Sequence, residues 1–279
     1  MPELPEVETV RTEIDMKLRG QKIRCVDVYE PRLRKLIPSD FANLLQKLTL
    51  KTITRRAKYI LIDFEESPLT LIIHLGMSGR VGIFETNQVR QKHDHVVITF
   101  ENGTCLHYHD PRRFGALFLT DSVASLFHTV GPEPLMSGFI PEVLKKALLD
   151  KKTSIKAALL DQRVVAGLGN IYVCEALHQS FIHPETRAQD LDESQCTSLV
   201  CAIQDVLHRA IAAGGSTLRD HKRTNGTPGA FQHQFNVYDQ RLKICSQCQK
   251  GTIQRIKQNN RSTYYCDVCQ IKQKTTGEI

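Results

Sequence analysis

The sequence predicts a multidomain α+β protein: an antiparallel β-sandwich or barrel, then a helical region, then a small four-cysteine metal module. Three observations carry this. Seven short strand-like segments lie in the first 120 residues, the hydrophobic period turns helical after Gly131-Pro132-Glu133-Pro134, and two Cys-x2-Cys pairs stand near the end.

The elements follow in order. Val7, Val10, Ile14 and Leu18 recur at helical spacing, which predicts a helix from Pro5 to Gly20. Strands are predicted at Thr49–Ile53, Tyr59–Phe64, Leu69–His74, Val81–Phe84, Val96–Phe100, Thr104–Tyr108 and Ala116–Leu119, most of them rich in β-branched or aromatic residues. Asn102-Gly103 between two of these is a hairpin signal. Helices are predicted at Val143–Leu149, Ser154–Leu160, Asn170–His178 and Glu193–Ala213, the last ended by Gly214-Gly215. The polar stretch Arg219–Ala230, with Asn225-Gly226 and Pro228-Gly229, reads as a loop.

Length and composition narrow the class. A chain of 279 residues suits two domains and a small appendage, and 41% apolar with 24% charged residues is ordinary for a globular protein. No apolar run approaches the roughly 18–20 residues of a membrane span, and the polar start is unlike a signal peptide. A cytoplasmic protein is therefore expected. The formal charge is +7, but from Arg241 onward eight Lys or Arg face only Asp267 and Glu278. A basic surplus in a small module suits a polyanionic partner, although a solvated basic tail has the same composition.

Nine cysteines are an odd number, and Cys25, Cys105, Cys174, Cys196 and Cys201 show no disulfide-like spacing. Cys245-x2-Cys248 and Cys266-x2-Cys269 stand 17 residues apart. Each pair can place two thiolates on one ion, and two pairs complete a closed tetrahedral site, so one structural zinc ion is predicted. Apolar content there is too low for the segment to fold alone, so metal binding must supply much of its folding energy. Arg255, Lys257, Arg261, Ser262, Thr263, Tyr264 and Tyr265 between the pairs suit phosphate contacts.

At the other end the chain opens Met1-Pro2-Glu3. A small second residue normally permits removal of Met1, which would expose a secondary amine able to attack a sugar C1′ and form an iminium. Glu3 and Glu6 place two carboxylates beside that amine. On their own, acids in a first helical turn serve equally well to complement the helix dipole.

The opening Met1-Pro2-Glu3-Leu4-Pro5-Glu6-Val7-Glu8-Thr9-Val10, with the four-cysteine pattern at the far end, resembles the formamidopyrimidine-DNA glycosylase family. The likeness continues in order through Arg55-Arg56-Ala57-Lys58-Tyr59, His74-Leu75-Gly76-Met77-Ser78-Gly79, Lys92-His93-Asp94-His95 and Asp110-Pro111-Arg112-Arg113-Phe114-Gly115. It extends through Gly131-Pro132-Glu133-Pro134-Leu135, Lys151-Lys152-Thr153, Gly167-Leu168-Gly169-Asn170-Ile171-Tyr172, Gly214-Gly215-Ser216-Thr217-Leu218 and Arg261-Ser262-Thr263-Tyr264-Tyr265-Cys266. Leu4 separates it from the related endonuclease VIII group, which prefers oxidised pyrimidines and has glycine there.

The resemblance implies an N-terminal β-sandwich flanked by helices (2–130), a linker (131–150), a helix-two-turns-helix domain (151–235) with a lesion-closing loop at about 215–232, and a zinc finger (236–270). It implies a monomer that excises 8-oxoguanine and ring-opened purines from duplex DNA and cleaves the abasic strand by β- and δ-elimination. Pro2 matches the family nucleophile, Glu3 the acid assisting ring opening, Lys58 the proton donor for β-elimination, and Arg261 the finger arginine of δ-elimination and phosphate binding. His93, Arg112, Lys151 and Asn170 match DNA contacts, and Met77, Arg112 and Phe114 match the triad that fills the void left by an extruded base. Glu6 and Glu175 match acids near the nucleophile and flipped base.

Three places depart from the family pattern. Val237-Tyr238-Asp239-Gln240 stands where Val-Tyr-Gly-Arg is usual, Asn260-Arg261-Ser262 lacks a common glycine, and His221-Lys222 differ in the loop. Two alternatives remain: an endonuclease VIII-like glycosylase for oxidised pyrimidines, and a non-catalytic zinc-ribbon DNA-binding protein.

Overall fold

A computed structural model describes residues 2–85, 88–217 and 223–272. The chain forms two compact units, one of Met1–His128 with Ala210–Gln232 and the other of Thr129–Arg209 with His233–Ile279. The sequence reading assigns about 215–232 to the helical domain, whereas the contacts group that segment with the first unit. Residues 218–222 of the loop, including His221 and Lys222, lie outside the described residues.

The first unit opens with helix α1 (Leu4–Leu18). Leu4, Val7, Val10, Ile14 and Leu18 are all buried, so one apolar stripe holds the helix to the core. Pro5 sits in the first turn, where its missing N–H has no helical partner to lose. Then come β1 (Ile23–Val28), α2 (Phe41–Leu45), β2 (Leu50–Arg56), β3 (Tyr59–Phe64), β4 (Thr70–His74), β5 (Arg80–Phe84), β6 (Asp94–Phe100), β7 (Cys105–His109), β8 (Ala116–Thr120) and α3 (Val123–Phe127).

The eight strands form two antiparallel four-stranded sheets, ordered β1-β6-β7-β5 and β2-β3-β4-β8. Ile83, Ile98, Phe100 and Leu106 of the first sheet share one core with Ile53, Ile60, Ile62 and Ile73 of the second and with Val10 and Ile14 of α1. The fold is therefore a sandwich rather than a barrel, and all seven strands predicted from the sequence are present. β1, α2 and α3 are additional.

Register fixes what matters for function. Tyr59 pairs with His74, and His74 with Ala116, so β3, β4 and β8 meet at one edge. Arg80 pairs with His109, and His109 with Asp94, at the corresponding edge of the other sheet. The connections 75–79 and 110–115 each run from one sheet to the other across that rim.

The second unit contains α4 (Pro141–Leu148), α5 (Ile155–Leu160), α6 (Asn170–Gln179) and most of α7 (Glu193–Ala212), then the hairpin β9 (Ile253–Gln258) and β10 (Arg261–Cys266). Helix α4 lies within the segment expected as a linker. Ser154 caps α5 by accepting from the Ala157 N–H at 3.3 Å.

Candidate active site

Within the first unit, the rim gathers Lys58, Met77, His93, Arg112 and Phe114. Lys58 follows Ala57 in the two-residue β2–β3 turn, where Ala57 has φ 51°. Arg55 holds this turn in place. Its Nη1 donates to the Ala57 carbonyl at 2.9 Å and its Nε to Glu8 Oε2 at 2.8 Å, fastening the turn to α1.

Pro2 and Glu3 stand at the start of that same helix, and both are buried. Glu6 organises this end. One carboxylate oxygen accepts from the Glu3 N–H at 2.8 Å, as part of a reciprocal capping box. The other accepts from the Ser216 N–H at 2.7 Å and Ser216 Oγ at 2.9 Å. A carboxylate so engaged is a strut that fixes where Pro2 and Glu3 point.

Met77 and Phe114 are 40% and 46% exposed, and the Arg112 guanidinium lies 4.7 Å from the Phe114 ring centroid. His93 is half-buried just before β6. His74, which motif matching assigns no role, lies behind them. Its ring is 4.6 Å from Tyr59 and its Nδ1 accepts from the Gly76 N–H at 3.2 Å. Burial, then the positive charges of Arg34 and Lys58, push its pKa down to about 4, so it is a neutral acceptor at physiological pH.

The second unit holds the remaining positions. Asn170 begins α6 and donates through Nδ2 to the Ser262 carbonyl at 2.9 Å. Lys156, fully buried, donates to the same carbonyl at 3.2 Å and to Thr263 Oγ1 at 2.6 Å. The residue following Arg261 is thus held by α5 and α6 together. Arg261 itself is exposed, beside a cleft of about 390 Å³ lined also by Arg241, Arg255, Lys257 and Asn260. Lys151 lies just beyond α4, half-buried, its carbonyl accepting from the Gln189 N–H. Glu175 accepts from the N–H groups of Asn236, Val237 and Tyr238 at 2.8–3.0 Å, so its carboxylate staples α6 to the start of the finger.

The four cysteines converge, with all four sulfurs within 4.8 Å of one another. Cys245–Cys269 and Cys248–Cys266 Sγ separations are 3.7 and 3.8 Å. A tetrahedron with metal–sulfur bonds of about 2.3 Å has edges of about 3.8 Å, so the donors fit an ion of zinc's size. Backbone N–H groups of Gly251 and Lys250 draw the Cys248 thiol down to about 6, whereas burial pushes Cys266 and Cys269 up. Four thiolates this close become stable together only beside a cation.

Two features of this centre escape the cysteine spacing. The finger has an apolar core of its own, Val237, Ile253 and Tyr264, packed with Cys174 of α6. The imidazole of His178, held neutral by burial, lies with Nε2 3.3 Å from Cys245 Sγ, within hydrogen-bonding reach of that sulfur. Replacing His178 with Ala is expected to weaken metal affinity about 10–100-fold, measured by competition with a chromogenic chelator. An unchanged affinity would reduce that contact to packing.

Comparison with known proteins accords with this geometry. Residues 1–117 match the family model described as formamidopyrimidine-DNA glycosylase N-terminal domain, and residues 130–222 the formamidopyrimidine-DNA glycosylase H2TH domain. A formamidopyrimidine-DNA glycosylase of Zymomonas mobilis is 46% identical over 275 residues, covering 97% of this chain and all of the relative. Two crystal structures of the Lactococcus lactis enzyme, a variant with DNA containing Fapy-dG and the wild type with DNA containing an oxidised pyrimidine, are each 37% identical, with TM-scores of 0.89 and 0.88. Each alignment covers 97% of this chain and 100% of the other.

Proposed function

The chain belongs to the formamidopyrimidine-DNA glycosylase family, and from that premise we propose that it excises oxidised purines from duplex DNA through its Pro2 amine and then nicks the abasic strand. Removal of Met1 leaves Pro2 with a secondary amine. An α-amino group titrates near 8 (about 7.7–8.0 in models), so a useful fraction carries its lone pair at neutral pH. That lone pair attacks C1′ as the glycosidic bond breaks, with Glu3 assisting ring opening and the base leaving protonated.

The resulting iminium withdraws electrons from C2′. Loss of a C2′ proton expels the 3′ phosphate, with Lys58 supplying the proton that the departing group takes. A second elimination expels the 5′ phosphate, and water then releases the amine. Arg261 acts in this reading as an electrostatic clamp on phosphate, since a guanidinium gives up a proton too reluctantly to serve as an acid. His93, Arg112, Lys151 and Asn170 bind the backbone, while Met77, Arg112 and Phe114 occupy the space the extruded base leaves. Glu6 and Glu175 support the site by fixing backbone.

What supports the reading most is the shared rim: the turns carrying Lys58, Met77, His93 and Arg112–Phe114 converge there, and Arg55 fastens the Lys58 turn to α1, the helix that Pro2 and Glu3 lead into. The domain limits 2–130, 131–150, 151–235 and 236–270 belong to the same reading. We assign one zinc ion to the four cysteines, closed by thiolates and therefore structural. No helix among the described residues is long and apolar enough to cross a membrane, and the relatives are bacterial, which suits a single-chain enzyme acting on DNA in the cytoplasm.

Duplexes carrying 8-oxoguanine or thymine glycol test the substrate class. Faster strand cleavage is expected at 8-oxoguanine. Cleavage confined to thymine glycol would favour an oxidised-pyrimidine enzyme, a class of lesion that the Lactococcus protein is seen to bind. Tight binding without cleavage of either would mark a non-catalytic DNA-binding protein.

A further inference from the structure

We propose that Asp110 is the positioning residue that presets the void-filling side chains, an inference that rests on the base-extruding function above. Asp110 is completely buried. Its Oδ1 accepts from Ser78 Oγ at 2.7 Å and its Oδ2 from the Gly115 N–H at 2.8 Å. Its own N–H donates to the His93 carbonyl at 3.0 Å, and its carbonyl accepts from His95 Nε2 at 2.8 Å and the Arg113 N–H at 3.1 Å. Ser78 Oγ in turn accepts from the Arg112 N–H at 3.3 Å.

The pattern of partners is what matters. Ser78 follows Met77, and Gly115 follows Phe114. Arg112 reaches Asp110 through Ser78, and His93 bonds to it directly. Asp110 therefore links three separate connections: its carboxylate reaches Ser78, next to Met77, and Gly115, next to Phe114, while its backbone N–H holds the His93 carbonyl. The two sheet-crossing turns also touch without side chains between them. A Cβ on Gly76, where φ is +62°, would lie 2.4 Å from the Phe114 carbonyl carbon. A Cβ on Gly115 would lie 1.7 Å from the Tyr108 hydroxyl.

Burying a carboxylate is costly, and an apolar residue could fill the space. The gain is geometric. Met77, Arg112 and Phe114 are exposed and contribute little to the core, so their own packing does not fix them. They can replace a base in the stack only if their backbones are held before DNA arrives, because ordering them during extrusion would cost entropy at that step.

Ser78→Ala removes one arm of this arrangement without disturbing the carboxylate's other contacts, and Ser78→Thr keeps the hydroxyl. Single-turnover excision of 8-oxoguanine is compared with nicking of the same duplex carrying a preformed abasic site, which has no base to extrude. Ser78→Ala is expected to lower the ratio of excision to nicking about tenfold, the effect of one unmade buried hydrogen bond, and Ser78→Thr to restore it. In a Met77→Ala background, Ser78→Ala should cost much less, since the wedge it positions is already gone. Asp110→Asn should behave like Ser78→Ala, because an amide cannot accept from both Ser78 and Gly115; if it fails to fold, the serine series stands by itself. Equal losses on both substrates, full additivity with Met77→Ala, or no loss would overturn the proposal. A wild-type protein inert on 8-oxoguanine would instead overturn the function on which it rests.

Discussion

Protein that retains Met1, or that carries an N-terminal tag, is expected to lose 8-oxoguanine excision and abasic-site nicking together, by at least about a thousandfold, the scale of removing a covalent catalyst. The physical reason is simple. Once acylated, the Pro2 nitrogen is an amide whose lone pair is delocalised into the carbonyl, and it no longer attacks carbon. The effect should be local, because α1 is held by Leu4, Val10 and Ile14 in the core and by Glu6 through Ser216. Circular dichroism and zinc content should therefore match those of the processed protein. Glu3→Gln should act differently, impairing base loss more than cleavage of a preformed abasic site, which needs only the later steps. Normal excision by a blocked protein would remove Pro2 from the mechanism.

Stripping the metal should have the second-largest effect. A four-thiolate zinc site contributes about 10–16 kcal/mol of apparent binding energy, far beyond what the small Val237, Ile253 and Tyr264 core supplies. Chelation, or Cys248→Ser, is expected to unfold the β9–β10 hairpin and release Arg261, abolishing tight DNA binding while the sandwich still melts cooperatively. Readdition of zinc should restore both after chelation but not in the variant. The test is a titration that follows hairpin signals by NMR and DNA affinity by anisotropy. Full affinity in a metal-free protein would mean that the α5 and α6 contacts through Lys156 and Asn170 suffice to hold the finger.

Much of this was legible in the sequence, for definite reasons. Helix α1 announces itself through four apolar residues at helical spacing, and the β-strands through β-branched runs whose turns are short. The metal centre is visible because its ligands come in local pairs. β1 is not legible, since in Ile23–Val28 only Ile23 is buried and its pairing with β6 is interrupted by a bulge. α2 has five residues, too few to show a period. The polar framework is hidden for another reason. Asp110 and Ser78 are 32 residues apart, Glu6 and Ser216 210 apart, and His178 and Cys245 67 apart. Nothing local distinguishes a buried aspartate in a turn from an exposed one. Glu6 and Glu175 stand out by family likeness as acids near the reaction, yet only the fold reveals that each is saturated by N–H or O–H donors and acts by holding backbone.

The most direct test of the central claim is borohydride trapping followed by peptide mapping. Borohydride added during turnover on an 8-oxoguanine duplex reduces the iminium to a stable amine and leaves protein joined to the cleaved strand. A hydroxyl nucleophile or an activated water forms no such adduct. A stoichiometric adduct is expected, whose modified peptide is the N-terminal one, with the sugar on the Pro2 nitrogen. Excision without any trapped species, or an adduct that maps to Lys58, would contradict it.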